Sequence, residues 1–338
     1  MIAMLAVLVI GSSPGIADRA SADSSRRTPT AKPARSRTND ARATTVSPAV
    51  APAVSHDAFV DTLTADVGGR TRRWTLVAPA STNPSVDLVV VLHGVGGSGT
   101  DMRHFGFDDL ARTSGVAVAY PDAADGMWND GRPGVDPPAS GAGWADDIAF
   151  FRALVASSGT RMGRTVRSVG VVGFSNGAMM AARAGCDMAD LVSVVAAVDG
   201  SAGENFESRC RPALPVSVAL VATQGDPVVP FVGGQVAAWQ GRARGRVAGV
   251  DATMRFWLAN NRCAPIRDLG LAATAPLVAR LQADGCDDAR QVVRLAIDAA
   301  QHEWVRTAGF DTTAAVWSFV HQQLPRPLNF DIVATQFG

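Results

Sequence analysis

Short apolar runs alternate with amphipathic segments along most of the chain. The runs are continuous, which is typical of strands buried on both faces of a parallel sheet. They predict strands at 73–78, 87–92, 116–120, 168–174, 191–198, 215–222 and 291–297. Apolar residues at helical spacing predict helices at 101–113, 144–157, 176–186, 250–260 and 311–322. This order predicts one α/β domain, with a mostly parallel central sheet and helices on both faces.

The two ends of the chain depart from this pattern. Residues 2–11 form an apolar run followed by small residues, which resembles a signal peptide and is too short to span a bilayer as a helix. No Lys or Arg precedes that run. Residues 21–56 are rich in Ser, Thr, Pro and Arg, which is typical of a disordered linker. We therefore expect a secreted, extracellular protein with a signal peptide at 1–20, the linker, the α/β domain at 57–324 and a C-terminal tail at 325–338.

Composition narrows the classes of partner. The 338 residues are 47% hydrophobic, enough for a sizeable core, and the formal net charge of zero gives no reason to expect nucleic acid. We likewise expect no stable membrane span. The cysteine count is even, but no cysteine lies in a CxxC motif or has a histidine at zinc-ligand spacing. Disulfides are therefore expected rather than a metal site, with three connectivities open. The four cysteines are Cys186, Cys210, Cys263 and Cys286.

A serine between two glycines interrupts the pattern most sharply. Residues 173–177, Gly-Phe-Ser-Asn-Gly, end a predicted strand and begin a predicted helix, which is the context of a nucleophile elbow. The glycines are needed there because side chains would collide with neighbouring backbone. The N-terminus of the following helix stabilises developing negative charge. An ordinary glycine-rich turn is the alternative, and the flanking strand and helix favour Ser175 as a nucleophile.

A serine nucleophile needs a histidine to accept its proton, and in this fold the histidine comes last in the chain. His302 and His321 are the two histidines that follow Ser175. His302 comes just after the predicted strand at 291–297, where a base is expected to emerge. His321 lies inside a predicted helix, so His302 is the preferred candidate.

The acid of such a triad is expected after another strand, between the serine and the histidine. Asp226 follows the predicted strand at 215–222 and is the preferred candidate. Asp199, after the strand at 191–198, is the alternative. The acid would hold the imidazole in one tautomer and stabilise its protonated form.

Two backbone N–H groups are expected to form an oxyanion hole. Asn176 supplies one, because it follows the nucleophile directly. The other is expected from the glycine-rich loop at 93–99, with Val95 as the first choice and Gly94 as the second. The same loop lacks the GK[ST] and GxGxxG motifs of phosphate-binding loops, so no cofactor is expected.

Four motifs in one order resemble the secreted polyhydroxybutyrate-depolymerase-like esterases, a group that includes feruloyl and acetylxylan esterases. They are LVVVLHGVGGSG, VVGFSNGAMMAARAGC, GDPVVPFVGG and QHEW. The resemblance covers roughly residues 60–322 and is specific, because separate motifs agree.

The resemblance implies an α/β-hydrolase fold and a serine carboxylic-ester hydrolase. It assigns Ser175 as nucleophile, Asp226 as acid and His302 as base. It also implies two disulfides, Cys186–Cys210 and Cys263–Cys286.

The segments around the predicted site suggest which ester is cleaved. The loop at 121–143 contains no long amphipathic helix that could act as an interfacial lid. Trp304, next to the base, is expected to wall the acyl pocket. Trp128 is expected either to stack on a substrate ring or to pack under its loop.

We therefore expect a short-chain, hydroxyalkanoate-oligomer or feruloyl-type ester rather than a long-chain triglyceride. Two alternatives remain. The same scaffold could transfer the acyl group to a sugar hydroxyl, or the protein could be a non-catalytic wall- or polymer-binding protein.

Overall fold

The computed structural model describes residues 57–324 apart from positions 139, 273 and 274. The predicted signal peptide, linker and C-terminal tail lie outside these residues. The strands are β1 Phe59–Val67, β2 Arg70–Ala78, β3 Ser85–Leu92, β4 Ala117–Pro121, β5 Thr165–Phe174, β6 Val192–Val198, β7 Ser217–Thr223, β8 Gly233–Gln235, β9 Arg246–Ala248, β10 Arg267–Ala272, β11 Val278–Ala283 and β12 Val292–Ile297. The helices are α1 Gly99–Arg103, α2 Phe107–Ser114, α3 Asp147–Met162, α4 Asn176–Asp187, α5 Phe206–Arg209, α6 Val250–Asn260 and α7 Thr312–Gln323.

Ten of these strands form one sheet, in the order β1-β2-β4-β3-β5-β6-β7-β12-β11-β10. The six central strands, from β4 to β12 in that order, pair in parallel. The two strands at each edge pair antiparallel. Every residue of β6 and β7 is buried, as a parallel strand between two helical layers requires. The predicted mostly parallel α/β architecture is therefore confirmed.

Two apolar cores lie on opposite faces of the sheet. Along β3, Leu88 and Val90 belong to one core, whereas Val89 and Val91 belong to the other, because successive strand side chains point to opposite faces. The first core includes buried side chains of α3, α4 and α6. The second includes those of α1, α2 and α7. Helices therefore cover both faces, as predicted.

The structure adds elements at the edges that the sequence pattern does not predict. β1 has a regular alternation of half-buried and exposed residues, and every residue of β10 is exposed. Such strands bury little surface of their own, so no apolar run marks them. The predicted helix at 101–113 is two helices, because Gly106 has a φ of 91° at the start of α2. A left-handed residue there breaks the helical path.

The two disulfides that the resemblance implies are present. Cys186 at the end of α4 is bonded to Cys210, directly after α5. Cys263, three residues after α6, is bonded to Cys286. No helix among the described residues has the length and hydropathy needed to cross a membrane.

A buried ion pair joins β2 to the start of α3. Arg72 Nη2 donates to Asp147 Oδ1 at 2.7 Å, and the side chains of the two residues are 3% and 0% exposed. The other oxygen, Asp147 Oδ2, accepts from the backbone N–H of Asn129 at 2.7 Å. Burial raises the pKa of Asp147, and the Arg72 guanidinium opposes that rise. The pair thus fixes a strand, a helix and the loop that leads to the site described below.

Replacing Arg72 with Met should lower the free energy of unfolding by about 3–5 kcal/mol, because it leaves the Asp147 carboxylate buried without its cation. Arg73→Met is the matched control. Its side chain is 65% exposed in a surface pair with Asp122, so it should cost no more than about 1 kcal/mol. Urea unfolding of the two variants measures the difference. Equal losses would show that the buried pair has no special role.

Candidate active site

The backbone at Ser175 is strained, and three glycines make that conformation possible. Ser175 lies between β5 and α4 with φ 56° and ψ −119°, outside the regions that serine favours. A Cβ atom at Gly173 would lie 2.0 Å from the carbonyl oxygen of Gly177. One at Gly177 would lie 2.5 Å from the Leu92 carbonyl oxygen, and one at Gly200 would lie 2.6 Å from that of Ser175. Strand, turn and helix can therefore approach this closely only because these positions lack side chains.

An aspartate and a histidine from two loops meet beside this turn. His302 Nδ1 lies 2.7 Å from Asp226 Oδ2. The second oxygen, Asp226 Oδ1, accepts from the backbone N–H groups of Val228 at 2.7 Å and Val229 at 2.9 Å, which fixes the carboxylate. The His302 ring also stacks on Phe174, with centroids 4.9 Å apart. With the hydrogen on Nδ1, the other ring nitrogen is left to accept a proton.

Ser175 and His302 line one cavity of about 190 Å³. Val95 and Asn176, the two residues predicted to form the oxyanion hole, line it too, as does Gly94, the second choice to Val95. The remaining wall is mostly apolar, with two arginines. It consists of Arg132, Phe174, Met179, Val228, Val236, Ala237, Ala238, Trp239 and Arg244. A small, largely apolar cavity with convergent polar groups is suited to one small ligand.

His93 fixes the loop that contributes Gly94 and Val95. Its ring is buried, with Nδ1 2.7 Å from the Gly94 carbonyl oxygen, and Nε2 accepts from the backbone N–H of Ala123 at 3.0 Å. Burial lowers the pKa of His93, which keeps the ring neutral so that Nε2 can go on accepting. The indole N–H of Trp128 donates to the His93 carbonyl oxygen at 2.9 Å and completes the brace.

The two tryptophans expected at the pocket do not line it. Trp128 is 1% exposed and packs beneath the loop on His93. Trp304 donates to Thr313 Oγ1 at 2.9 Å and stacks on Phe105, so the expectation that it walls the pocket is wrong. Trp304 follows His302 closely in sequence and Trp128 lies in the loop at 121–143, but both large side chains are buried in the hydrophobic core instead.

The tryptophan at the cavity is Trp239, which the sequence analysis missed. It is 50% exposed and lies in the segment between β8 and β9. No predicted strand, predicted helix or motif includes that segment, so the sequence does not indicate that Trp239 lies near Ser175. His321 lies on α7, stacked against Trp317 and away from this cavity.

Asp199, the alternative acid, is buried beside the Asp226–His302 pair. Its Oδ1 accepts from the Thr223 backbone N–H at 2.8 Å, and its Oδ2 accepts from that of Glu303 at 3.0 Å. The carboxylate therefore ties the end of β7 to the residue that follows His302. Burial raises the pKa of Asp199 to about 6, against the two backbone donors, and nearby Asp226 raises it further.

Asp199, Asp226 and His302 are also the group in the described residues that brings three possible metal-ligand atoms within 4.8 Å of one another. All four carboxylate oxygens already contact protein donors. Holding the histidine and its loop therefore accounts for the cluster without a metal ion.

Comparison with known proteins relates the chain to esterases. No known family profile matches it. Over 257 residues it is 29% identical to putative esterase NocK of Nocardia uniformis subsp. tsuyamanensis, covering 70% of this chain and 72% of that protein. Over 159 residues it is 28% identical to feruloyl esterase B of Piromyces equi, covering 45% of this chain and 28% of that protein.

A solved structure shows the same fold. Acetyl xylan esterase from Aspergillus awamori matches with a TM-score of 0.51 and 13% identity, over 77% of this chain and 99% of that chain. At that identity the likeness concerns the fold alone, and it agrees with the parallel sheet and strained turn described above. The chain has the α/β-hydrolase fold.

Replacing Asp199 with Asn should make the stability difference from the wild type depend on pH. The pKa of Asp199 is about 6 in the folded protein, above its ordinary value of 3.8. Its contribution to stability is therefore complete below about pH 4 and is lost as the pH rises through 6. The asparagine side chain carries no charge, so the variant should gain stability relative to the wild type between about pH 4 and pH 7.

Thermal melts of both proteins across that range measure the difference. Glu303→Gln is the control, because that change leaves the backbone N–H on Asp199 in place. A difference that is constant with pH would contradict a raised pKa for Asp199.

Proposed function

We propose that this chain, a carboxylic-ester hydrolase related to the esterases above, cleaves short-chain, hydroxyalkanoate-oligomer or feruloyl-type esters through Ser175, Asp226 and His302. One observation carries the proposal. His302 contacts Asp226 at 2.7 Å and lines the same cavity as Ser175, which lies at a strained turn. A serine, a histidine and an oriented acid at one cavity are the minimum for acyl transfer through the serine.

In the proposed mechanism, His302 Nε2 takes the Ser175 hydroxyl proton while Oγ attacks the ester carbonyl carbon. The backbone N–H groups of Val95 and Asn176 stabilise the oxyanion that forms. The C–O bond to the leaving alcohol then breaks, and His302 returns the proton to the departing oxygen. A water molecule then gives a proton to His302 and attacks the carbonyl carbon of the acyl-enzyme. The bond to Ser175 Oγ breaks, His302 returns the proton to Oγ, and the carboxylic acid is released. Asp226 holds the imidazole and stabilises its protonated form throughout.

The cavity supports a short acyl group. Its volume of about 190 Å³ and its apolar wall suit a few carbon atoms in contact with Met179, Val228 and Val236. Trp239, half exposed at the cavity, offers a flat surface for an aromatic acyl group or a sugar ring. The name of one sequence relative, feruloyl esterase B, agrees with an aromatic acyl group.

We also infer that the protein acts outside the cell. Two disulfides close loops of the domain, and such bonds persist in oxidising compartments. The apolar run at 2–11 supports export. The substrate would then be an ester that the protein meets in the medium or on a surface.

A fluorophosphonate probe should label the wild-type protein at Ser175, because that reagent needs an activated serine. Ser175→Ala should abolish labelling and lower kcat by about 10⁴-fold or more, and His302→Gln should have a comparable effect. Ser318→Ala, an exposed serine on α7, is the control and should keep both. Mass spectrometry of the labelled peptide and p-nitrophenyl acetate hydrolysis are the measurements. Retained labelling in Ser175→Ala would reject the nucleophile, and a wild-type protein that neither reacts nor turns over would support a binding role.

A series of p-nitrophenyl esters should show kcat/KM highest at short acyl chains and more than about tenfold lower at palmitate, because the cavity cannot enclose a long chain. Free acid should be the product even when a sugar alcohol is present. Highest activity on palmitate would point to a lipase. Acylated sugar as the main product would point to acyl transfer.

A further inference from the structure

The cavity at Ser175 contains two buried arginines that the proposed ester hydrolysis does not use. Arg132 is 6% exposed and Arg244 is 7% exposed, and both line the cavity. Two buried cations in a cavity of this size are a strong constraint on what binds there, since an uncompensated buried charge is costly.

Arg132 has its charge balanced within the protein. It forms an ion pair with Asp130, and both side chains are nearly fully buried. The same carboxylate accepts from Asn176 Nδ2 at 2.5 Å, at the start of α4. Arg132 Nε donates to the carbonyl oxygen of Arg244 at 2.6 Å, and Nη1 lies 2.7 Å from Met179 Sδ. Arg132 is thus a fixed part of the wall, and it holds the backbone of Arg244 in place.

Arg244 has no such balance. Its Nη1 lies 3.0 Å from Met127 Sδ, and a thioether is a weak acceptor. Its Nε is buried and has no hydrogen-bond partner within the described part of the chain. No carboxylate among the described residues lies within ion-pair distance of its guanidinium.

The surroundings of Arg244 also favour an incoming anion. Burial lowers the pKa of Arg244, Arg132 and Arg242 lower it further, and Asp136 opposes them. A guanidinium nevertheless stays protonated at neutral pH. The group is therefore a buried cation that lines the cavity, has other cations near it, and has one N–H, that of Nε, without a partner among the described residues. An anionic ligand would satisfy that donor and offset the charge.

We propose that Arg244 binds a carboxylate of the substrate, so that the preferred ester carries a free carboxylate close to the ester group. This inference rests on the proposed ester hydrolysis at Ser175. The planar guanidinium presents paired N–H groups that match the two oxygens of a carboxylate. Among the proposed substrates, a hydroxyalkanoate oligomer has such a group at its acid end. A feruloyl ester does not, because its carboxyl group is consumed in the ester bond.

Matched substrate pairs test the proposal on either side of the ester bond. For the acyl side, mono-p-nitrophenyl glutarate is compared with p-nitrophenyl pentanoate. For the alcohol side, 3-acetoxybutanoate is compared with 3-acetoxybutanamide. In at least one pair, wild-type kcat/KM should be about tenfold or more higher for the carboxylate, chiefly through KM, because a charge-assisted hydrogen bond is lost in the neutral partner.

Substitutions assign that preference to Arg244. Arg244→Met should bring the ratio of kcat/KM within each pair close to one. Arg244→Lys should retain part of the preference, because it keeps the charge but not the paired donors. Arg255→Met, at an exposed position on α6, is the control and should leave the ratio unchanged. A preference that survives Arg244→Met would assign the carboxylate to another group and overturn the proposal.

A binding measurement covers the case in which Arg244→Met fails to fold. Glutarate should compete with p-nitrophenyl acetate in the wild type, whereas 1-pentanol at the same concentration should not. Glutarate should also bind to Ser175→Ala in calorimetry, which tests the carboxylate site without turnover. If the wild type cleaves neutral esters, shows no preference for the carboxylate substrates and is not inhibited by glutarate, the carboxylate inference is overturned while the proposed ester hydrolysis stands. A wild-type protein that cleaves none of these esters but binds glutarate would overturn the proposed function instead.

Discussion

The site depends on one steric constraint, the close approach of four backbone segments around Ser175. The ends of β3 and β5, the start of α4 and the turn after β6 come so near that a Cβ atom at Gly173, Gly177 or Gly200 would overlap a backbone atom. That approach forces Ser175 into a conformation that serine rarely adopts. The packed sheet on both sides supplies the stability that holds this strain. A rigid parallel sheet and a strained serine are therefore two results of the same packing.

Buried charged side chains hold the loops around the sheet in fixed positions. Arg72 and Asp147 fix the segment that leads to Trp128, and Asp199 ties β7 to the loop of His302. Each carboxylate accepts at least one backbone N–H, so a charge inside the protein positions backbone that has no regular structure. Arg244 differs from these groups, since it lines the cavity and forms no ion pair with a carboxylate in the part of the chain that the structure describes. The carboxylates that are hydrogen-bonded to backbone N–H groups support the loops, whereas the buried cation of Arg244 is suited to bind a ligand.

The sequence predicted the central fold and named residues that the structure brings together at one cavity, because both have strong local signals. Continuous apolar runs specify strands buried on two faces, and the glycines around Ser175 mark a turn that other residues cannot make. Asp226 and His302 each follow a predicted strand, and the ends of parallel strands lie at one edge of the sheet. The structure shows the two side chains in contact there. The antiparallel edge strands lacked such signals, because they bury little of their surface.

By itself, the sequence determined the α/β class, the position of the strained turn and the residues that could meet beside it. Only the tertiary structure decided which side chains line the cavity. Trp304 lies close to His302 in sequence and Trp128 lies in the loop that follows β4, but both are buried in the core, whereas Trp239 and Arg244 reach the cavity from a segment without a pattern. The physical reason is that periodicity reports which face of an element is apolar. The composition of a cavity depends instead on how distant loops pack together, and no local pattern encodes that packing.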